Sequence, residues 1–213
     1  TEFPKLWLPV TLVVALLAMV AGMLMINTTA AGAAMVPHLH KDLTPGPSGA
    51  GPDQFTAFGG DLYFAAKSAS KGQELWKMSG GKAKPITDMN PGKKHSSPNN
   101  LTPFKGKLYF SAEDETHGRE LWRTDGVTSE LVADVNPGTD DSYPSNLTVL
   151  GGKLFFVADA VGSGRELWAT DGNSTSLVED IRPGGSSSDP GSMTQLGNHL
   201  YFRASDGVSG TEL

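Results

Sequence analysis

The pattern of apolar and polar residues divides the chain into an apolar start, a polar connection and a long region of short alternating runs. From Leu6 to Ile26 the sequence LWLPVTLVVALLAMVAGMLMI has 21 residues and no charge. A helix of that length is about 31 Å long, which matches a hydrocarbon core of roughly 30 Å. We therefore expect a flank, residues 1–5, followed by one transmembrane helix, residues 6–26.

A cleaved signal peptide is the alternative interpretation, because Ala31-Gly32-Ala33 resembles a cleavage site. Signal peptides have apolar regions of about 7–15 residues, so the longer stretch favours an uncleaved anchor in the cell membrane. Lys5 favours a cytoplasmic N-terminus, with the remainder on the periplasmic or extracellular side. Trp7 lies where an interfacial aromatic residue is expected.

Small residues, Ala15, Ala18 and Gly22, share one face of the predicted helix. They would let another membrane helix approach closely, although ordinary alanine usage gives the same pattern. Residues 27–54 end in a Pro- and Gly-rich stretch and predict an extended tether. Within it, His38 and His40 would face one side of an extended strand, as contacts at the membrane interface or as two of the ligands of a metal.

Residues 55–213 repeat with a period of 46 residues. Tryptophan, glutamate and leucine each recur at this interval. The residues are Trp76, Trp122 and Trp168; Glu74, Glu120, Glu166 and Glu212; and Leu62, Leu108, Leu154 and Leu200. The register defines repeats 55–100, 101–146 and 147–192 and a partial repeat, 193–213.

Each repeat predicts four short strands. In the second repeat, LTPFKGKLYFSAED predicts two strands joined at Lys105-Gly106, RELWR predicts a third strand and SELVADV a fourth. Four antiparallel strands in about 46 residues are typical of a β-propeller blade. The predicted fold class is therefore all-β, with four-stranded antiparallel blades in a propeller or partial propeller, preceded by one transmembrane helix.

The number of repeats raises a further expectation. Closed propellers have about four to eight blades, so three full repeats and a part predict that the natural chain continues. An open stack whose end is covered by a partner is the alternative.

The phrase RELWRTDG at 119–126 returns as RELWATDG at 165–172. Along such a strand Leu121 points to one face, and Glu120 and Trp122 point to the other. Because blades pack face to face, the indoles are expected as wedges between blades rather than as an exposed ligand-binding row. Equivalent glutamates in successive blades stand too far apart for a catalytic pair, so we expect them to accept hydrogen bonds at strand edges. The predicted structural anchors are Trp76, Trp122, Trp168, Leu75, Leu121, Leu167, Glu74, Glu120 and Glu166.

The motifs GRELWRTDG, GRELWATDG, LVADVNPG, LVEDIRPG and GGKLFFVAD resemble the bacterial repeat family named for its E-L-W-x-T-D-G-T core. The resemblance covers residues 55–213 and implies a propeller-like fold in a secreted or surface protein. It implies no common enzymatic activity. The first repeat departs from the family pattern, with QELWKMSGG where TDG is expected, so its outer hairpin is expected to differ.

The charge and the composition of the chain limit the classes of partner that it could bind. The formal net charge of −6 argues against a nucleic-acid binder, and the absence of Cys excludes thiol catalysis. Residues 55–100 carry seven Lys and Arg side chains against three carboxylates, whereas the next two repeats are acidic. The first blade could therefore contact an acidic partner or anionic lipid headgroups, or the charges could simply be solvated.

Sites for metals, cofactors and catalysis are weakly indicated or absent. Asp134, Asn136 and Asp140 are spaced somewhat like calcium ligands, but the equivalent positions in the other repeats bring in Lys and Arg. They are weak metal candidates only. No sequence pattern of a nucleophile, phosphate loop or dinucleotide site occurs, so we expect no catalytic residue and no cofactor.

These observations predict a non-enzymatic, membrane-anchored scaffold outside the cytoplasm. Its partners would be the lipid bilayer and other membrane protein subunits, contacted through the transmembrane helix and the repeat domain. It could be an accessory or stabilising subunit of a larger complex of respiratory or photosynthetic type. The alternative is a surface propeller that binds glycans, or a hydrolase whose site lies on further blades.

Overall fold

A computed structural model describes residues 23–26, 37–45 and 49–213. The first two strands, β1 (Met23–Ile26) and β2 (Pro37–Lys41), pair antiparallel. The predicted helix over residues 6–26 is therefore wrong at its end, where Met23–Ile26 pairs as a strand. Residues 1–22, which carry the rest of that prediction, lie outside the described residues. In the described part of the chain, no helix has the length and apolar character needed to cross a bilayer.

The repeat region forms three antiparallel sheets of four strands and a fourth sheet of three strands, each in chain order. The first sheet contains β3 (Asp53–Phe58), β4 (Asp61–Ala66), β5 (Glu74–Ser79) and β6 (Lys82–Pro85), and the second contains β7 (Asn99–Phe104), β8 (Lys107–Asp114), β9 (Gly118–Thr124) and β10 (Ser129–Ala133). The third contains β11 (Ser145–Leu150), β12 (Lys153–Ala160), β13 (Gly164–Thr170) and β14 (Thr175–Glu179), and the fourth contains β15 (Gly191–Leu196), β16 (His199–Ser205) and β17 (Thr211–Glu212).

These sheets confirm the all-β class and the blade-like, four-stranded repeat unit. Each sheet begins two residues before the repeat boundary predicted from the sequence, and the 46-residue interval between sheets is kept. Among the described residues the four sheets form an open array and do not close into a ring.

The hairpins form where the sequence places glycine. In the β7–β8 turn, Lys105 and Gly106 have φ values of 46° and 74°, the left-handed region that tight two-residue turns require. The outer hairpin of the first repeat differs from the others, as expected. It turns at Gly80-Gly81, whereas the second repeat has a longer loop in which the Asp125 carboxylate accepts hydrogen bonds from the amides of Val127 and Thr128.

The core lies between neighbouring sheets. Leu75 of the first sheet packs with Leu108 and Phe110 of the second, and Leu121 of the second packs with Phe156 of the third. The middle strands of the second sheet are thus covered on both faces, which is why their residues are buried without strict alternation. The contact between the third and fourth sheets is looser, with a cavity of about 490 Å³ lined by Ile181, Leu200 and Phe202 among others.

The described residues of the segment Asp42–Ala50, which are 42–45, 49 and 50, cover part of the free face of the first sheet. Leu43 and the buried Ala50 pack against Phe64 and Trp76. The amide of Lys67 donates to the carbonyl of Ala50 at 2.9 Å, and the same bond recurs 46 residues later between Glu113 and Ser96. Part of the region predicted as a tether therefore folds in repeat register, as the connection that enters the first sheet.

Candidate functional site

Glutamates at one position of each full repeat tie the sheets together. Glu120 on β9 is fully buried, and its carboxylate accepts hydrogen bonds from the amide of Val135 at 2.9 Å and from the hydroxyl of Ser142 at 2.6 Å. Both donors lie on the segment that crosses to the third sheet. Glu74 and Glu166 make the equivalent bonds, to Met89 and Ser96 and to Ile181 and Ser188. We call these three arrangements the glutamate clamps.

Burial raises the pKa of Glu120 to about 7, against the opposing effect of its hydrogen bonds. The geometry also suits a neutral acid. Ser142 Oγ lies 2.6 Å from Glu120 Oε2 and 3.3 Å from the carbonyl oxygen of Arg119, and one hydroxyl proton can serve only one of them. A proton on the carboxyl group would donate to Ser142 and release its hydroxyl proton for Arg119. Burial likewise raises the pKa of Glu74, whose Ser96 partner is placed in the same way.

The recurring apolar anchors lie at the faces of the sheets. Leu75, Leu121 and Leu167 are buried. Trp76 is buried and donates to the carbonyl of Ala66 at 2.9 Å. Trp122 is half-buried against the cluster between the first and second sheets, and Trp168 against the cluster between the second and third. Neither of their indole N–H groups has a hydrogen-bond partner among the described residues.

The remaining candidate site residues do not converge. Asp140 is exposed, while Asn136 donates to the carbonyl of Asp141 at 3.2 Å and accepts from the amide of Val161 at 3.3 Å. Asp134 has one buried carboxylate oxygen without a partner, as do the equivalent Asp88 and Asp180. Within the described ranges, no group of three or more His, Cys, Asp or Glu side chains could hold a metal ion.

The side chains predicted to lie at or in the membrane have no described position relative to the sheets. The backbones of His38 and His40 lie in β2, and their side chains are outside the description. Trp7, Ala15, Ala18 and Gly22 are outside the described residues.

A cleft that the sequence reasoning missed lies where the first strands of the four sheets, β3, β7, β11 and β15, run beside one another. We call it the axial cleft. It has a volume of about 480 Å³. Its lining residues are Gln54, Phe55, Thr56, Asn100, Leu101, Thr102, Asn146, Leu147, Thr148, Ser192 and Met193.

Strained backbone places polar side chains along this cleft. The second residue of each first strand has a left-handed φ, with values of 55° at Gln54, 58° at Asn100, 55° at Asn146 and 52° at Ser192. Such strain costs on the order of 1 kcal/mol per non-glycine residue and often marks a functional site. In the sequence, residues with amide or hydroxyl side chains recur every 46 residues at the second position of each first strand, and this recurrence could have indicated the cleft.

The axial cleft combines neutral hydrogen-bonding groups with one exposed ring. Asn100 bridges neighbouring sheets, because its amide N–H donates to Gln54 Oε1 and its side chain donates to the Pro144 carbonyl, both at 3.3 Å. The side chain of Asn146 makes no hydrogen bond to any described residue. Phe55 is 51% exposed at the cleft. The arrangement can bind an uncharged polar ligand by hydrogen bonds and by contact with an aromatic face.

No protein-family model matches the chain, and no curated protein matches it. Among solved structures, the chain is similar to a crystal structure of a puromycin hydrolase mutant complexed with PGG, with 14% sequence identity and a TM-score of 0.46. The match covers 84% of this chain and 28% of that chain, so the chain spans under a third of that protein's length. A similarity at this level says nothing about activity.

Proposed function

We propose that the chain is a non-catalytic scaffold of the E-L-W-x-T-D-G-T repeat type, with propeller-type blades held outside the cytoplasm. One observation supports this most directly: the recurring glutamates are used in packing. Each binds backbone amides of the next crossing segment, so none is free to act as an acid or base on a substrate.

The scaffold is proposed to be attached to the membrane by the apolar segment that precedes β1. Its partners would be other subunits of a membrane complex of respiratory or photosynthetic type, for which it acts as an accessory or stabilising subunit. A rigid array suits this role because its sheets expose large faces at little cost in ordering.

Extraction of the full chain in mild detergent, followed by native electrophoresis and mass spectrometry of the bands, tests this proposal. Comigration with defined membrane subunits at low detergent is the expected result. A lone monomer at every detergent concentration would contradict it.

A second candidate function is the binding of an oligosaccharide in the axial cleft. The column of amides and hydroxyls, together with the exposed Phe55, favours it. Sugars are bound by such neutral hydrogen-bonding groups and by aromatic faces. Asn146→Ala is the sharpest test, because this side chain lines the cleft and makes no hydrogen bond to any described residue. We expect it to abolish retention on an oligosaccharide array while lowering the melting temperature only slightly, through the cost of alanine at a φ of 55°, and unchanged retention would contradict this function.

A further inference from the structure

A second polar cleft opens beside the axial cleft and shares Asn146 and Ser192 with it. Its volume is about 770 Å³, and it lies between the third and fourth sheets. Three arginines, Arg165, Arg182 and Arg203, contribute to its lining. We call it the arginine cleft. A cationic cleft is unexpected here, because the third repeat carries more carboxylates than Lys and Arg.

Two of the three arginines lack a carboxylate partner. Arg165 is paired with Asp159 at 2.6 Å, just as Arg119 is paired with Glu113 and Arg123 with Glu130. Among the described residues, Arg182 and Arg203 form no ion pair. Arg182 donates only to the carbonyl of Ser187, at 3.4 Å. The exposed Asp189 is the one other carboxylate at the cleft, so the cleft keeps an excess of positive charge.

The fold does not need arginine at either position. Arg182 stands where the earlier repeats have Asn90 and Asn136, whose side-chain amides donate to crossing-segment carbonyls at 3.0 and 3.2 Å. Asparagine therefore makes the structural bond at least as well. Arg203 stands where the first two sheets have Ala65 and Ser111, both buried. The two guanidinium groups are departures from the repeat, and they share one cleft.

We infer that the arginine cleft binds the carboxylates of an acidic oligosaccharide whose uncharged groups lie in the axial cleft. The inference rests on the second candidate function. A planar guanidinium matches a carboxylate through two parallel hydrogen bonds, and the arginines already paired in this chain all bind carboxylates. The shared residues, Asn146 and Ser192, make one continuous surface from neutral to cationic groups. A chain of uronic acid units has this combination of hydroxyl and carboxylate groups.

Calorimetric titration of the full chain with hexagalacturonate tests the inference. The fully methyl-esterified hexamer has the same backbone without charge and serves as the matched ligand. Hexaglutamate supplies carboxylates without sugar. The variants are Arg182→Asn and Arg203→Ala, which restore residues that other repeats carry, with Asn146→Ala for the axial cleft. Lys93→Ala removes an exposed cation elsewhere and is the control.

We expect hexagalacturonate to bind, with affinity falling at least tenfold in each arginine variant and unchanged in Lys93→Ala, because each lost charge-assisted pair is worth about a factor of ten or more. The methyl ester should bind more weakly and should not respond to the arginine variants. Equal binding of hexagalacturonate by the arginine variants and the wild type overturns the inference. So does equal binding of hexaglutamate, which would show recognition of charge alone. If the ester binds and responds to Asn146→Ala while the arginines have no effect, the sugar function stands and this inference fails. If neither hexamer binds, this inference fails, and the oligosaccharide array decides separately whether the second candidate function stands.

Discussion

At the scale of single residues, the glutamate clamps show how a motif with the chemistry of a catalytic acid serves packing instead. Each carboxylate replaces water for two backbone amides and a hydroxyl on a segment that would otherwise be buried with unpaired donors. The cost is that the carboxyl group itself is buried. Desolvation disfavours the charged form, and at Glu120 this outweighs the hydrogen bonds.

The pKa of Glu120 gives a pH dependence with a definite sign. Its folded-state pKa, about 7, lies above the ordinary value of 4.5, so the folded state binds the proton more tightly than the unfolded state. The contribution of Glu120 to the free energy of unfolding is therefore full below about pH 4.5 and is lost as the pH rises to about 7. The loss is on the order of 3 kcal/mol.

Urea unfolding of the wild type and Glu120→Gln at pH 5 and pH 8 measures this loss. The wild type should lose stability relative to the variant between the two values. Glu130→Gln is the control, because Lys107 and Arg123 lower the pKa of Glu130 below its ordinary value of 4.5, so its contribution stays constant between pH 5 and pH 8 and is lost only at lower pH. A difference between wild type and Glu120→Gln that does not change with pH would contradict the burial of a weakly acidic carboxyl group.

The indoles allow a matched comparison of a hydrogen bond. Trp76 donates to a carbonyl, whereas the N–H of Trp122 has no partner among the described residues. We expect Trp76→Phe to lower the free energy of unfolding by about 1 kcal/mol more than Trp122→Phe, which is the net value of one such bond. Chemical denaturation at fixed pH checks this. Equal losses would mean that Trp122 also has a partner, such as an ordered water.

At the scale of elements, the glycine that opens the phrase GRELW is needed for close approach. A Cβ placed on Gly164 would come within 2.7–2.9 Å of the backbone of Ser186 and Ser187, on the crossing segment, and φ at this residue is +68°. Gly151, in the β11–β12 turn, also has a positive φ but has open space around it. Gly164 therefore allows a strand and the crossing segment to approach closely, whereas Gly151 is needed only for the conformation of a turn.

Gly164→Ala and Gly151→Ala separate these two roles. Gly151→Ala should cost about 1 kcal/mol, from backbone strain alone. Gly164→Ala should cost about 3 kcal/mol or more, because the crossing segment must move and the Glu166 clamp moves with it. Thermal unfolding of the two variants shows which one is less stable. A Gly164→Ala variant as stable as Gly151→Ala would show that the crossing segment shifts at little cost in free energy.

The strands were predictable because their signals are local. Alternating apolar residues, paired turn residues and an unbroken 46-residue period give four strands per repeat, and the structure has them. The axial cleft was not predictable in the same way, since its polar residues come from four strands that only the packing of sheets brings together. The left-handed backbone at Gln54 and Ser192 has no sequence signal of its own, because neither residue type favours it. The two arginines of the arginine cleft likewise come from different sheets.

At the scale of the whole molecule, the main contacts between the described sheets join sheets that are neighbours along the chain. In such an array, stability is close to a sum of repeat and interface terms, and a local defect need not unfold distant repeats. The Pro- and Gly-rich composition around the segment Asp42–Ala50 predicts a tether. The segment's Asp42-x-x-Pro45 pattern stands 46 residues before Asp88-x-x-Pro91, which places it in the repeat.

This arrangement predicts how far a defect spreads. Among the described residues, Leu43 packs in the cluster of the first sheet, whereas Val135 lies in the cluster shared by the second and third sheets. Leu43→Ala should lower the opening free energy of the first sheet by about 1–2 kcal/mol and so raise amide hydrogen exchange there about tenfold, while leaving the third sheet unchanged. Val135→Ala should raise exchange in the second and third sheets together. If Leu43→Ala leaves the exchange of β4 and β5 unchanged, the segment does not cover the first sheet in solution. If it raises exchange in all four sheets equally, the array unfolds as one unit and its interfaces are not independent.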